Sequence, residues 1–479
     1  MKGMDYVTIT DHNSIEGAVE IAHLPGTFIS VEITTYLPEN GCKLHVVALN
    51  ITNTDYQEIM RLRKDTYELS AYLREKGIVH FLAHALYDMN GKLTVDVLER
   101  LVLIFNVFEV KNGARSAKCN SLIEQVTASL TEEKIYRLAA KHGIDPMGET
   151  PWLKTLVAGS DDHSGLFVAR AYTASKRGGG VTDFLDSVAK GRCWAAGKDG
   201  DALTLAHSIY GIGYRFITEN LQKNKANSLP FINTLLRTLI DARGAKIPLF
   251  EKVRLSIRRC FPDAYDEDYE GRNFEQVLDA EAWRILSDTK FLASISTNDM
   301  NRKVFIVISR LVNRLMYVYT KRLTRTWPPV GIAGIFHSMG TIGLLHMLTS
   351  PYYVAYYHQH RSKTLIREIE HRFDLTAEQP RKIALFTDTL HEINGVAITI
   401  KRMVSTAKAK GLELVVITSG SGTTAFAGGI MNFQSVGEFA LPEYPELKLH
   451  FPPLLEVLDY FEQEGFTAVH ASTPGTMGL

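Results

Sequence analysis

Cysteine is scarce in this 479-residue chain: the four present, Cys42, Cys119, Cys193 and Cys260, are scattered and form no CxxC pair. That excludes a disulfide scaffold and a thiolate zinc site, and it fits a reducing cytoplasm. An excess of charge of either sign is also missing, with Lys plus Arg and Asp plus Glu at 53 each. A broad basic face for nucleic acid is excluded on that balance, and no nucleic-acid partner is expected. The N-terminus lacks a charged stretch followed by an apolar run, so nothing there reads as a signal peptide. Internal repeats of fixed period and low-complexity tracts are absent. What is there is 45% hydrophobic and 22% charged, a soluble globular composition over a length that suggests about three domains. Composition points to a cytoplasmic multidomain enzyme and goes no further.

Both ends read as cut. The chain opens on an apolar strand pattern from Gly3 to Thr10, and a domain rarely starts with a buried strand that nothing covers. It closes on a strand pattern from Thr467 followed by a helix-opening turn at Pro474 and Gly475, with no helix after it. A fragment of a longer reading frame is expected.

Residues 1–200 alternate short apolar runs with amphipathic stretches. Candidate strands are 6–10, 27–31, 44–49, 79–83, 107–110 and 155–158, with helical patterns at 54–76 and 94–103. That alternation predicts βα units around a parallel sheet or barrel. Between 203 and 370 apolar positions recur at helical spacing, as at Ile232, Leu235, Leu236 and Leu239, which predicts an all-helical middle domain over 201–375. The acidic residues from Asp263 to Glu270 read as a solvated loop. The stretch from Thr326 to His360 carries no Asp, Glu, Lys or Arg and exceeds the about 20 residues of a membrane span. Its prolines, histidines and glycines favour a buried helical hairpin. The basic residues before it (Lys321, Arg322, Arg325) and the tyrosines after it keep a peripheral, monotopic membrane contact as the second reading. From Arg381 the βα pattern returns: a strand at 382–387, a helix to Lys410, and a strand at 413–418.

In the first domain, ligand-type side chains recur at strand ends. Asp11 and His12 follow the first candidate strand, Glu32 the second, His84 the fourth, and Asp161 to His163 the sixth; His45 and Glu109 lie within strands. In a βα barrel such positions converge on one face. Imidazole and carboxylate ligands without thiolate suit Zn, Mn or Fe, and a cluster of such ions orients a phosphate and activates water. Singly, His45 or His84 reads as a hydrogen-bonded core histidine, Glu109 as a loop carboxylate, and Asp11 as a cap for a helix near residues 14–18. The weight rests on the set.

Thr10-Asp11-His12-Asn13-Ser14, Val31-Glu32-Ile33-Thr34, Ala83-His84, Phe108-Glu109-Val110-Lys111-Asn112-Gly113 and Gly159-Ser160-Asp161-Asp162-His163 together resemble the PHP (polymerase and histidinol phosphatase) superfamily. The likeness covers about the first 200 residues. It implies a distorted (β/α)7 barrel with a two- or three-metal site that hydrolyses phosphate esters of a phosphorylated small molecule. By resemblance His12, Glu32, His45, His84, Asp161 and His163 are metal ligands, joined by Glu109 and Asn112, while Asp11 orients the ligand histidine next to it. The family's opening His-x-His strand is missing, and Ala85 stands where a proline often follows the ligand histidine. The barrel is therefore expected to lack its first strand, to bind metal incompletely and to have little phosphatase activity.

The pattern from Arg381 onward, with Asn394-Gly395 after a strand, a parallel strand following, and Val469-His470-Ala471-Ser472-Thr473 near the end, resembles the N-terminal, Rossmann-like half of group-1 GT-B glycosyltransferases. The resemblance implies acceptor binding by residues 376–479, with Asn394, Gly395 and Val396 facing the diphosphate of a nucleotide-sugar donor at a helix N-terminus. It sets His470 near the reacting centre; as a plain residue it reads equally as part of a turn. The second, donor-holding domain is not in the chain, and sugar transfer is not expected from it. The whole reads as a bacterial fusion of phosphoesterase barrel, helical middle and glycosyltransferase half, building a glycolipid or polysaccharide on a glycan or lipid acceptor. The alternative makes the barrel a non-catalytic scaffold or regulatory module of the transferase.

Overall fold

The first sheet takes its sense from one short turn. In the computed structural model, β1 (Ser30–Leu37) and β2 (Cys42–Leu49) are joined by residues 38–41 alone. Gly41 takes the left-handed φ of +68° there, and Asn40 Oδ1 accepts from Cys42 N at 2.8 Å. So short a link cannot cross over a sheet, and the pair is antiparallel, Ser30 opposite Leu49 and Leu37 opposite Cys42. β3 (His80–Leu82) runs antiparallel to β2; β4 (Val107–Asn112) and β5 (Thr155–Gly159) then add in parallel, giving the order β1-β2-β3-β4-β5. The sheet is thus mixed, where the βα alternation predicts a parallel one.

The structure describes residues 3–176, 178–224, 269, 271–297, 299–325, 331–375, 381–390, 392, 394–441, 444–473 and 475–478. Ile232, Leu235, Leu236 and Leu239, the acidic residues 263–268 and 270, and Cys260 lie outside them, as does Pro474. The described residues divide into two units, Met1–Ser208 with Tyr357–Ala377, and Ile209–Tyr356 with Glu378–Leu479.

Helices of the first unit begin where sequence supplies a cap. After α1 (Glu16–Ile21), the helix expected over 54–76 is two, α2 (Asn53–Leu62) and α3 (Thr66–Glu75). Asp65 breaks the run, because its carboxylate accepts from Tyr67 N and Glu68 N and starts a new helix. Thr94, Ser116 and Thr131 cap α4 (Val95–Ile104), α5 (Ala117–Ala128) and α6 (Glu132–His142). The apolar faces of these helices meet the sheet in one core around Val31, Ile33, Leu82, Leu98, Leu101, Phe108 and Val126. β6 (Ala171–Ser175) and β7 (Cys193–Gly197), an antiparallel pair spanned by α7 (Val181–Ala189), were not legible as strands.

Two strand expectations shift. Residues 6–10 form no strand; Val7 and His12 make single parallel bridges to Thr27 and Glu32. Among the described residues no strand flanks the outer side of that segment, so it lacks the second row of hydrogen bonds. The strand expected at 27–31 begins at Ser30 and runs on through the β-branched Ile33, Thr34 and Thr35, so Glu32 sits inside it.

α8 (Ala202–Asn224) leads out of the first unit. The second unit holds α9 (Phe274–Ser287), α10 (Thr289–Ser294) and α11 (Met300–Arg325), packed through Val277, Leu278, Trp283, Leu311 and Leu315. Buried Glu281 accepts two hydrogen bonds from Arg314 and one from Tyr269. The described part of the uncharged stretch, from Gly331 on, forms one helix, α12 (Gly331–His360), with Pro351 inside it, rather than a hairpin. Among the described residues no helix is long and apolar enough to cross a membrane. α13 (Lys363–Arg372) returns to the first unit, where Ile366, Ile369 and Phe373 join the core.

The last segment forms a second mixed sheet in the order β10-β11-β9-β8-β14. β8 (Lys382–Phe386), β9 (Glu413–Gly420), β11 (Ile430–Gln434) and β14 (Ala468–Ala471) are parallel; β10 (Ala425–Ala427) is antiparallel at the edge. α14 (Gly395–Ala409) links β8 to β9, and α15 (Leu454–Glu464) precedes β14. β10, β11 and the antiparallel ribbon of β12 (Gly437–Leu441) with β13 (Tyr444–Phe451) have no counterpart in the sequence reading. The chain is a mixed α/β protein, as its patterning predicts.

Candidate metal centre

Glu32 is the hub. It projects from β1, nearly buried, and its Oε1 lies 2.6 Å from His45 Nδ1 and 3.1 Å from His84 Nε2, while Oε2 is 3.7 Å from His12 Nδ1. His45 comes from the adjacent strand β2, two positions from the residue paired with Glu32, so both side chains share a face of the hairpin. His84 follows β3 directly and holds an unusual φ of +29°; its amide donates to Glu109 Oε2 at 2.8 Å. His45 Nδ1 and His84 Nε2 are 3.3 Å apart, two ring nitrogens aimed at one carboxylate oxygen. The far nitrogen of His45 is held by Thr34 Oγ1 at 3.3 Å, and Thr34 is fixed by Asn13 through its hydroxyl and its amide.

A second set adjoins the first. Glu109 Oε2 accepts from Asn112 Nδ2 at 2.9 Å, and Asn112 also donates to Asp161 Oδ2 at 3.2 Å. Arg115 donates to the same Asp161 oxygen at 3.3 Å while its guanidinium lies 3.5 Å over the Tyr87 ring. His163 Nδ1 is 3.6 Å from Asp161 Oδ1, and its ring centroid is 5.8 Å from that of His12. Asp161, like His84, has a positive φ, +47°. Such conformations persist where the surroundings over-determine them, which is the habit of functional sites.

Charge follows from this packing. Burial raises the pKa of Glu32, but hydrogen bonds from His45 and His84 outweigh it and hold the carboxyl well below the usual range. His45 is lowered by burial against the pull of Glu32. For His84 burial acts downward, and the Glu32 hydrogen bond wins, raising it. Glu109 is pushed up to about 7 by burial, with His84 opposing and Asp161 adding to the rise. Three carboxylates, Glu32, Glu109 and Asp161, therefore crowd around imidazoles with Arg115 as the near permanent cation.

The donor set fits a divalent ion. Ligand atoms of His12, Glu32 and His45 all lie within 4.8 Å of one another, and imidazole nitrogen with carboxylate oxygen suits Zn, Mn or Fe. Of the residues expected to meet, His12, Glu32, His45 and His84 converge directly, and Glu109, Asp161 and His163 join through His84 and Asn112. Asp11 lines the same cavity, with its carboxylate over Gly17, so close that a Cβ there would be 2.3 Å away. Thr34, Asn13, Tyr87 and Arg115 were not singled out by the sequence. Asn13 and Thr34 lie inside quoted motifs with no role given to them there, and Arg115 follows one by two residues, which is the signal that pointed to them.

In the C-terminal segment Asn394 caps α14, its Oδ1 accepting from Ala397 N at 2.8 Å; Gly395 opens the helix with free space around it, and Val396 is exposed. His470 lies exposed within β14, opposite Leu385 of β8. Asp388, just past β8, accepts from Thr473 Oγ1, Thr476 Oγ1 and Met477 N and so ties down the turn after β14. Among the described residues, the hydroxyls of Thr389, Thr418, Ser419 and Ser472 near the carboxyl ends of parallel strands are buried without a hydrogen-bond partner.

Asp96, Glu99 and His142 form another ligand-like group. Lys141, His142 and Arg372 already satisfy Glu99, which makes that group a structural ion cluster. No protein-family model and no curated protein matches this chain.

Proposed function

We propose that the first 200 residues form a divalent-metal-dependent phosphoesterase domain of the PHP type, acting on a phosphorylated small molecule. The observation that carries the reading is the convergence of His12, His45 and His84, from three separate stretches of chain, on the one carboxylate of Glu32. When bound, the metal supplies charge neutralisation for the phosphate and a water of lowered pKa. This chain's own groups do the rest. Thr34 sets the His45 ring, Glu109 holds the His84 backbone, and Arg115 and Asn112 orient Asp161.

The test is metal removal and return. Stripped by chelator and reloaded with Mn2+ or Zn2+, the protein should take up metal and show a weak, metal-dependent hydrolysis of p-nitrophenyl phosphate, low because the His-x-His pair of the resemblance is not among its residues, and His45→Ala should lose at least about 10-fold in metal affinity. Activity that survives chelation, or uptake unchanged in His45→Ala, overturns the reading. Uptake without hydrolysis makes the domain a scaffold.

Residues 376–479 we read as the acceptor-side half of a GT-B glycosyltransferase, using a nucleotide sugar and a glycan or lipid acceptor. Its support is the parallel order β9-β8-β14, the α14 N-terminus capped by Asn394, and the unpartnered hydroxyls near those strand ends.

A further inference from the structure

The cavity that touches the metal-ligand cluster has two chemically different parts. It measures about 540 Å³, within the range of small-molecule sites. His12, Glu32, His84, Glu109, Asp161 and His163 lie along one part of its wall; Phe28, Leu49, Phe81 and Phe184 form an apolar cluster that meets it at Val47, the residue paired with Glu32.

Hydroxyl-bearing side chains along the apolar part are largely committed. Thr8 Oγ1 donates to Phe28 O at 2.7 Å, and Thr173 Oγ1 donates to Ala158 O and accepts from Ala158 N, both at 2.9 Å. The hydroxyls of Tyr6, Thr10 and Tyr172 remain, fewer than a hexose phosphate presents. Each sugar or polyol hydroxyl beyond those gives up water and gains no partner, a loss of roughly 10-fold in affinity. Carbon brought to the same walls gains by leaving water.

We propose that this site takes phosphomonoesters with an apolar, aryl or alkyl, leaving group, the phosphate against the histidines and the carbon body along Phe28, Val47 and Phe81. The proposal rests on the phosphoesterase reading above. In the reaction a water oxygen bonds to phosphorus as the bond from phosphorus to the leaving oxygen breaks. That oxygen takes a proton and departs as a phenol or alcohol, and inorganic phosphate remains.

Calorimetric titration of the full chain in Mn2+ with 1-naphthyl phosphate, glucose 6-phosphate, inorganic phosphate and 1-naphthol tests this. Naphthyl phosphate should bind at least about 10-fold tighter than glucose 6-phosphate. Phe184→Ala, which shortens the apolar wall on α7, should narrow that gap. Tyr172→Asp, at an exposed position whose replacement does not threaten folding, should narrow the gap in the same direction. Equal or tighter binding of glucose 6-phosphate, or a gap that neither variant changes, overturns the inference. Binding of inorganic phosphate with neither naphthyl compound also overturns it and leaves the phosphoesterase reading standing. Binding of 1-naphthol with no phosphate compound supports the apolar cavity and overturns the phosphoesterase reading instead.

Discussion

At residue 159 the site depends on a missing methyl group. Gly159 ends β5, and a Cβ there would sit 2.7 Å from Glu109 Oε1. Gly159→Ala should push that carboxylate off the His84 amide and Asn112, costing about 1–3 kcal/mol of stability and about 10-fold in metal affinity. Urea melts and a metal titration check it; an alanine variant with wild-type values for both contradicts the account. The candidate ligand side chains stood out in sequence because their chemistry is rare in combination: imidazole or carboxylate at one strand end after another. What positions them was not. Thr34, Asn13 and Arg115 are ordinary residue types whose roles come from contacts 11 to 46 positions away in sequence, which no local pattern carries. Asp11 shows the reverse, a residue next to a candidate ligand in sequence whose carboxylate lies over Gly17.

Among the elements, α13 is held to α4 by a carboxylate that is almost wholly buried. Glu99 faces Lys141 Nζ at 2.5 Å, His142 Nε2 at 2.7 Å and Arg372 NH1 at 2.7 Å. Glu99→Ala leaves the buried His142 ring and the half-exposed Lys141 and Arg372 without their shared acceptor and should cost about 1–3 kcal/mol. Arg372→Ala removes a half-exposed partner and leaves two, so about 1 kcal/mol or less is expected. Denaturation of the two variants side by side measures the difference; equal costs would show that burial of Glu99 is not what makes the cluster matter. Elements with strong caps or long apolar runs, such as α4, β2, β4, β8 and β9, were readable. β10 and β12 were not, because short edge or ribbon strands carry few buried positions and their pairing, rather than their composition, makes them strands.

For the molecule as a whole, zero net charge gives pH little collective leverage, so single buried groups decide its pH response. Burial pushes Lys154 down to about 7, although its Nζ donates to Val102 O in the last turn of α4 and to Phe105 O and Asn106 Oδ1 just past it. Its unfolded value is near 10.4. Between those values the unfolded chain binds a proton that the native one lacks, so stability should rise with pH, by up to about 1.4 kcal/mol per unit. Urea midpoints of the first unit's transition at pH 7.5 and 9 check this, and Lys154→Met should flatten the slope. The division into two units has a consequence for biosynthesis. The first unit's core needs Ile366, Ile369 and Phe373, which follow Ser208 by the whole of Ile209–Tyr356. At roughly 5–20 residues per second, a ribosome takes on the order of 10–30 s to cross that interval. During that time the nascent N-terminal unit waits with part of its hydrophobic surface uncovered, which makes it a natural client for a chaperone.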